Sequence, residues 1–205
     1  MSTGSAAAQG ASIYYEDLGE GTAVVLIHAG VADSRMWDGV FEALAERFHA
    51  IRFDIRGFGR SAMTPGRFSY HHDLESLLDH LAVARASLVG CSFGGQIAID
   101  FAIVHPDRVR SLALVSAGIR GREPSEQINQ LKLEPPAIGR LGEIRAPTLV
   151  IVGDRDLPEL IEAGDRLASE IPNARKVVFP GVARLVSMER PERFLDVVTE
   201  FLNVP

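Results

Sequence analysis

The chain has 205 residues, of which 46% are hydrophobic and 23% charged, a composition typical of a globular domain with one sizeable core. Its 21 basic and 27 acidic residues give a net charge of −6, which disfavours nucleic acids and anionic membranes as partners. The chain has one cysteine, and no apolar stretch approaches the roughly 18–20 residues that span a bilayer. We therefore expect a single-domain cytoplasmic protein.

Seven runs of residues predict β-strands, and the middle ones are continuously apolar, as parallel strands are when both of their faces are covered. These runs comprise residues 13–15, 23–28, 50–54, 87–91, 111–115, 147–152 and 176–179. Amphipathic segments between them predict helices over residues 34–48, 73–83, 94–104, 159–171 and 192–202. The alternation predicts an α/β fold with a mostly parallel twisted sheet and helices on both faces.

Two segments depart from this alternation. The first ten residues lack the basic start and the apolar run of a secretory signal, and we expect them to be loose. Residues 118–141 are rich in Gly, Pro, Glu and Arg, with a short helical stretch at 125–133. We expect them to form a connector within one domain that comprises residues 1–205.

The sharpest chemical signal is Gly-Cys-Ser-Phe-Gly-Gly at residues 90–95, where a predicted strand ends and a predicted helix begins. A nucleophile elbow has this arrangement, because its serine lies in a strained turn and flanking glycines remove Cβ atoms that would clash. The helix N-terminus and the Phe93 amide would then lie beside a developing oxyanion. The alternative is a tight turn with a structural role alone.

A second signal is His28-Ala29-Gly30, which closes the apolar strand at 23–28. A loop at this place can supply the second amide of an oxyanion hole, and Gly30 is the best candidate for it. The alternative is a glycine turn beside a packed histidine. We expect His28 itself to have a structural role.

These two sites resemble those of the α/β-hydrolase superfamily, in particular its bacterial esterases, enol-lactonases and C–C bond hydrolases. The resemblance also includes Asp-Ile-Arg-Gly-Phe-Gly-Arg-Ser at 54–61 and Gly-Asp-Arg-Asp at 153–156, and it extends over residues 14–202. It implies Ser92 as the nucleophile and Asp156 as the acid of a Ser-His-Asp triad. It also implies a mainly structural role for the 54–61 turn. A helix N-cap ahead of Pro158 is the alternative for Asp156.

The chain departs from the family at the base of the triad. The family motif H-x-x-x-x-E-x-P corresponds to residues 184–191, and Arg184 stands at the position of the histidine. A guanidinium stays protonated and cannot take the proton of Ser92. No histidine follows His105, and His28 is the one substitute base worth testing. We expect Arg184 to meet Asp156 in a bidentate pair, with a solvated surface arginine as the alternative.

The chain also departs from the family at residues 118–141, where the relatives that it resembles carry a longer helical cap. A shorter segment predicts an open pocket, whose apolar rim would favour a homodimer through the uncapped face. No cofactor is expected. No metal is expected either, because there is one cysteine and the histidines lack ligand spacing along the chain.

Two functions remain open. The first is a serine hydrolase of small esters or related carbonyl compounds, with turnover that is weak or absent because of Arg184. The second is a non-catalytic protein of the same fold that binds a small carboxylate, serves as a scaffold, or is a minimised or engineered core.

Overall fold

The computed structural model describes residues 1–119 and 136–203, and its eight strands form one sheet in the order β1-β2-β4-β3-β5-β6-β7-β8. The strands are Ser2–Ala8 (β1), Ala11–Leu18 (β2), Ala23–Ile27 (β3), His49–Phe53 (β4), Ala86–Cys91 (β5), Val109–Val115 (β6), Thr148–Gly153 (β7) and Ala174–Phe179 (β8). Strands β1 and β2 pair antiparallel with their neighbours, and all pairs from β4 to β8 are parallel. The predicted α/β sheet is confirmed.

Helices cover both faces of this sheet. Within the described residues they are Asp38–Ala45 (α1), Tyr70–His80 (α2), Phe93–Val104 (α3), Pro158–Glu170 (α4), Val186–Glu189 (α5) and Pro191–Leu202 (α6). In β3, Val25 and Ile27 pack into the core beneath α2, α3 and α4, whereas Val24 and Leu26 pack into the core beneath α1 and α6. Because alternate side chains of a strand enter different cores, the strand is apolar along its whole length.

The expectation that the first residues are loose is wrong, because they form β1 and pair with β2 in a hairpin. The turn uses Gln9 and Gly10, both at positive φ (44° and 79°), which suits the twist of a two-residue hairpin. The Gln9 side chain donates to the Ser69 carbonyl at 2.8 Å and to Asp73 at 2.7 Å. These contacts with distant residues hold the edge strand β1 in place, whereas its small side chains alone do not predict a strand.

Two predicted helices begin or end elsewhere. The stretch predicted at 34–48 is a 3₁₀ turn, Ser34–Trp37, followed by the shorter α1, and Asp33 caps the turn by accepting the Arg35 amide at 3.0 Å. Helix α2 begins at Tyr70 because Ser69, in extended conformation, is held there by the Gln9 side chain. The helical stretch predicted at 125–133 lies outside the described residues.

Within the part of the chain that the structure describes, we find no helix whose length and apolar character would allow it to cross a membrane.

Candidate active site

Ser92 lies at the sharp turn between β5 and α3. Its φ of 51° and ψ of −109° place it in the left-handed region that favours glycine. Its N–H donates to the Val115 carbonyl at 2.8 Å, which ties the turn to β6, and its side chain is partly exposed. Strain of this kind costs about 1–3 kcal/mol and concentrates at functional sites. The turn that the motif predicts is present, and the role of Ser92 as a nucleophile stays a prediction.

The glycines around this turn are required by close approach of the backbone. A Cβ on Gly94 would lie 2.6 Å from the His28 carbonyl oxygen and even closer to that of Ile27. A Cβ on Gly90 would lie 2.5 Å from the carbonyl oxygen of Gly94. Backbone atoms in a sheet and a helix cannot yield cheaply, so β3, β5 and α3 meet at this distance only with glycine in both places.

Gly30 lies directly against the turn. A Cβ built on Gly30 would be 3.3 Å from the Phe93 Cβ, so the loop after β3 touches the first residue of α3. The Gly30 N–H has no hydrogen-bond acceptor among the described residues. The Phe93 N–H belongs to the first turn of α3, where amides have no intrahelical acceptor. This arrangement suits the predicted oxyanion hole, whose role stays a prediction.

Asp156 follows β7, and its side chain is only 2% exposed. Its Oδ1 accepts the Leu157 N–H at 2.8 Å and the Arg184 Nε at 3.5 Å. Its Oδ2 is buried and has no hydrogen-bond partner in the described part of the chain. The N-cap of α4 is Leu157 and not Asp156, so the N-cap alternative is wrong. The role of Asp156 as the triad acid stays a prediction.

The expected bidentate pair between Arg184 and Asp156 is wrong in its geometry. One guanidinium nitrogen approaches one carboxylate oxygen at 3.5 Å, which is the outer limit of a hydrogen bond. The Arg184 side chain, on the loop between β8 and α5, remains 29% exposed. Four of its five N–H donors have no partner within residues 1–119 and 136–203.

The Cys91 thiol, next to Ser92, lies close to both Asp156 and Arg184. Burial raises the pKa of the Cys91 thiol to about 12, the Asp156 carboxylate adds to the rise, and Arg184 opposes it. The Cys91 Sγ also lies 3.9 Å from the Arg184 carbonyl oxygen. The thiol next to Ser92 is therefore neutral and is no rival nucleophile.

His28 is not available as a substitute base. Its Nε2 accepts the Ile55 N–H at 2.9 Å, so the proton of the neutral ring is on Nδ1, which lies 2.8 Å from the Ala29 carbonyl oxygen. Burial lowers the pKa of His28, and the ring is fully enclosed. With both nitrogens engaged in backbone hydrogen bonds, His28 has the structural role that we expected.

The turn at 54–61 has the structural role that the resemblance implies. Asp54 accepts the Ser34 N–H at 2.9 Å and the Arg60 N–H at 2.8 Å. Arg56 is buried and donates to both oxygens of Asp73, at 2.8 and 2.5 Å. These contacts hold the turn that follows the carboxyl end of β4.

The sequence model of the alpha/beta hydrolase fold family matches residues 22–137, which is more than half of the chain. The chain belongs to the α/β-hydrolase family. This α/β-hydrolase spans about 30–42% of the length of the curated relatives that it matches at 38–40% identity. Its described sheet and helices agree with the fold of the family.

One relative of this α/β-hydrolase is the pimeloyl-[acyl-carrier protein] methyl ester esterase of Nitrosomonas europaea, 38% identical over 107 residues that cover 52% of the chain and 42% of the esterase. Another is a 2-hydroxy-6-oxononadienedioate/2-hydroxy-6-oxononatrienedioate hydrolase of Burkholderia vietnamiensis, 28% identical over 93% of the chain and 91% of that protein. Their alignment has 261 positions, more than the 205 residues of the α/β-hydrolase, so the relative carries segments that the chain lacks.

Among solved structures, the α/β-hydrolase resembles a thermophilic esterase from Thermogutta terrifontis with malate bound. The TM-score is 0.86 and the identity 26%, over 98% of each chain.

A cavity of about 240 Å³ opens between α3 and α4 of the α/β-hydrolase. Its walls include Gln96, whose N–H donates to the Ser92 carbonyl at 3.2 Å, and Leu160 of α4. Three apolar side chains near the site are exposed, namely Val31, Leu157 and Met188. They suit an apolar rim, and a homodimer through this face stays a prediction.

The structure also brings together three histidines that are distant in the sequence. His71, His72 and His105 each offer a ring nitrogen, and these nitrogens all lie within 4.8 Å of one another. Along the chain these histidines lack ligand spacing, as noted above, and the expectation of no metal stays a prediction. The spacing along the chain hides the cluster, because the start of α2 and the end of α3 meet only in the folded α/β-hydrolase.

Proposed function

We propose that the chain is a serine hydrolase of small esters or related carbonyl compounds, with Ser92 as the nucleophile and the amides of Gly30 and Phe93 as the oxyanion hole. The observation that carries this proposal is the strained backbone of Ser92, at φ 51°, on the N-terminus of α3. Two proteins that this chain resembles, the Nitrosomonas europaea and Thermogutta terrifontis proteins, are esterases, which supports the reaction class.

In the first step the Ser92 Oγ bonds to the carbonyl carbon, and the π electrons of the carbonyl move onto its oxygen. The Oγ proton must leave at the same time. In a complete triad a histidine takes it, but the Arg184 guanidinium has no lone pair to accept it, so water must do so. Loss of the base in such triads costs about 10⁴- to 10⁶-fold in rate. We therefore propose slow turnover.

Restoring the base is the sharpest test of this proposal. We propose Asp156 as the triad acid, since its buried Oδ2 has no hydrogen-bond partner among the described residues and can accept the N–H of an imidazole. Arg184→His would place that imidazole on the loop after β8. A general base in position contributes about 10²- to 10⁴-fold.

The experiment measures hydrolysis of p-nitrophenyl acetate by the parent, by Arg184→His and by the control Arg184→Gln, which removes the cation without adding a base. We expect Arg184→His to exceed both others by at least about 100-fold. Adding Ser92→Ala should abolish that gain. If neither the parent nor Arg184→His shows hydrolysis that depends on Ser92, the hydrolase proposal is wrong.

A second candidate function rests on the spare donors of Arg184. A guanidinium with one long contact to Asp156 can offer a two-pronged hydrogen bond to a small carboxylate. The malate bound to the similar Thermogutta terrifontis esterase supports this class of ligand. Under this alternative the site binds acids and performs no hydrolysis.

Calorimetric titration with malate and acetate separates the two functions. If Arg184 holds the carboxylate, Arg184→Gln should weaken binding by about 10- to 100-fold. Equal heats for the parent and the variant would contradict an anion site at Arg184. Binding through Arg184 together with no gain of turnover in Arg184→His would favour the binding function alone.

A further inference from the structure

The histidine cluster joins two helices on the side of the sheet that α2 and α3 cover. His71 and His72 lie in the first turn of α2, and His105 is the C-cap residue that directly follows α3. The ring centroids of His71 and His72 are 4.2 Å apart, and each lies 5.9 Å from that of His105. His71 is buried and the other two are partly exposed, so solvent reaches one side of the cluster.

Two of the rings already have partners on the nitrogen that a metal would not use. The His105 Nδ1 lies 3.2 Å from Glu75 Oε1, while its Nε2 is buried with no hydrogen-bond partner among the described residues. The His72 Nδ1 lies 2.8 Å from the Ser69 hydroxyl, which leaves its Nε2 available. Histidine ligands of metals have such partners, which fix the tautomer and orient the ring.

We propose that His71, His72 and His105 form a binding site for a divalent transition-metal ion of the zinc type, with Glu75 and Ser69 as its supporting shell. Imidazole nitrogen is a preferred ligand of Zn²⁺, at about 2.0–2.1 Å, and three imidazoles leave a fourth position for water.

The required movement is small. Ligands at these lengths lie about 3.3 Å apart in a tetrahedral site, so the three nitrogens, all within 4.8 Å of one another, must draw closer by at most about 1.5 Å. Rotation of the partly exposed His72 and His105 side chains can move their ring nitrogens by this distance. The Glu75 carboxylate and the negative end of α3 favour a cation, and they oppose the positive end of α2.

A bound ion would link the beginning of α2 to the end of α3. The two helices already share the core between them and the sheet, in which Leu78 of α2 and Phe101 of α3 are fully enclosed. A ligand that binds only the folded chain raises its stability by mass action. We therefore expect the metal to act on stability, independently of Ser92 and of any hydrolysis.

The test uses the whole chain after treatment with EDTA and dialysis. Calorimetric titration with ZnCl₂ should give one site per chain. Zinc at 100 times its Kd should raise Tm by about 5–10 °C. Co²⁺ in place of Zn²⁺ should give the visible absorption bands of a tetrahedral site. Failure of the parent chain to bind zinc, or no Tm shift at saturation, overturns the proposal.

Variants locate the ion. His72→Gln and His105→Gln should each lose the zinc site, and Glu75→Gln should weaken it by about 10- to 100-fold. The control is His80→Gln, which removes an exposed histidine of the same helix and should leave zinc binding unchanged. Circular dichroism without metal shows whether each variant folds. If His105→Gln fails to fold, His72→Gln decides the test, because His72 is partly exposed and its replacement should leave the fold intact. Zinc binding that survives His72→Gln contradicts the assignment.

Discussion

The substitution Gly94→Ala tests the idea that the elbow depends on close approach of the backbone. Gly94 is the second residue of α3, two residues after Ser92, and it packs against the end of β3. An added Cβ would overlap the carbonyl oxygens of Ile27 and His28, at 2.6 Å from the latter. Neither oxygen belongs to a flexible side chain, so relief requires α3 to move away from the sheet.

The expected cost follows from this geometry. Adding a methyl group to a tightly packed core costs about 1–3 kcal/mol, and here the obstacle is backbone on two sides. We therefore expect Gly94→Ala to lower the free energy of unfolding by about 3 kcal/mol or more. A domain has about 5–15 kcal/mol in total, so the variant should keep its fold with a much reduced margin.

Urea unfolding measures this change, and the single tryptophan, Trp37, is buried and serves as the fluorescence probe. The matched control is Gly139→Ala, because an added Cβ there meets no atom within 4 Å and φ is not positive. We expect the control to be neutral or stabilised by about 0.4–1 kcal/mol. A Gly94→Ala protein within about 0.5 kcal/mol of the parent would refute the close-approach argument.

Two further substitutions test the residues that support the site. Burial lowers the pKa of His28, so the folded protein stays unprotonated there while the unfolded chain takes up a proton below about pH 6.5. The free energy of unfolding should fall as the pH drops from 7 to 5, and His28 contributes at most about 1.4 kcal/mol per pH unit to this fall. His28→Gln should remove that contribution, whereas the control His80→Gln should leave it in place. Identical slopes for the parent and His28→Gln in urea unfolding would contradict this. Arg56→Met leaves the buried Asp73 carboxylate without its cation and should cost about 3–5 kcal/mol, most of it recovered in the double variant Arg56→Met/Asp73→Leu. A single variant that loses under about 1 kcal/mol in the same assay would show that the pair contributes little.

The features that sequence predicts here are those that neighbouring residues determine. The run at 23–27 is apolar throughout because Val24 and Val25 enter different cores, and that pattern needs no knowledge of the rest of the chain. The elbow is recognisable from a short motif, and Gly90 is required by atoms of the same turn, although Gly94 is required by the carbonyl oxygens of Ile27 and His28 at the end of β3. The fold and the position of Ser92 were therefore predictable.

The features that sequence missed depend on contacts between distant residues. The N-terminal strand is held by Gln9, whose partners Ser69 and Asp73 are 60 and 64 residues away in the sequence. The histidine cluster exists only where α2 meets α3. The relation of Arg184 to Asp156 depends on the path of the loop after β8, which sets one contact at 3.5 Å instead of the expected two.

The rate at which a fluorophosphonate labels Ser92, followed by intact-protein mass and peptide mapping, tests the central claim most directly. Labelling needs an activated hydroxyl beside an oxyanion hole and requires no guess about the substrate. We expect slow labelling of the parent at Ser92, labelling of Arg184→His at least about 100-fold faster, and none of Ser92→Ala. Equal rates in all three proteins, or a label on another residue, would contradict the claim that the strained turn at Ser92 carries the chemistry.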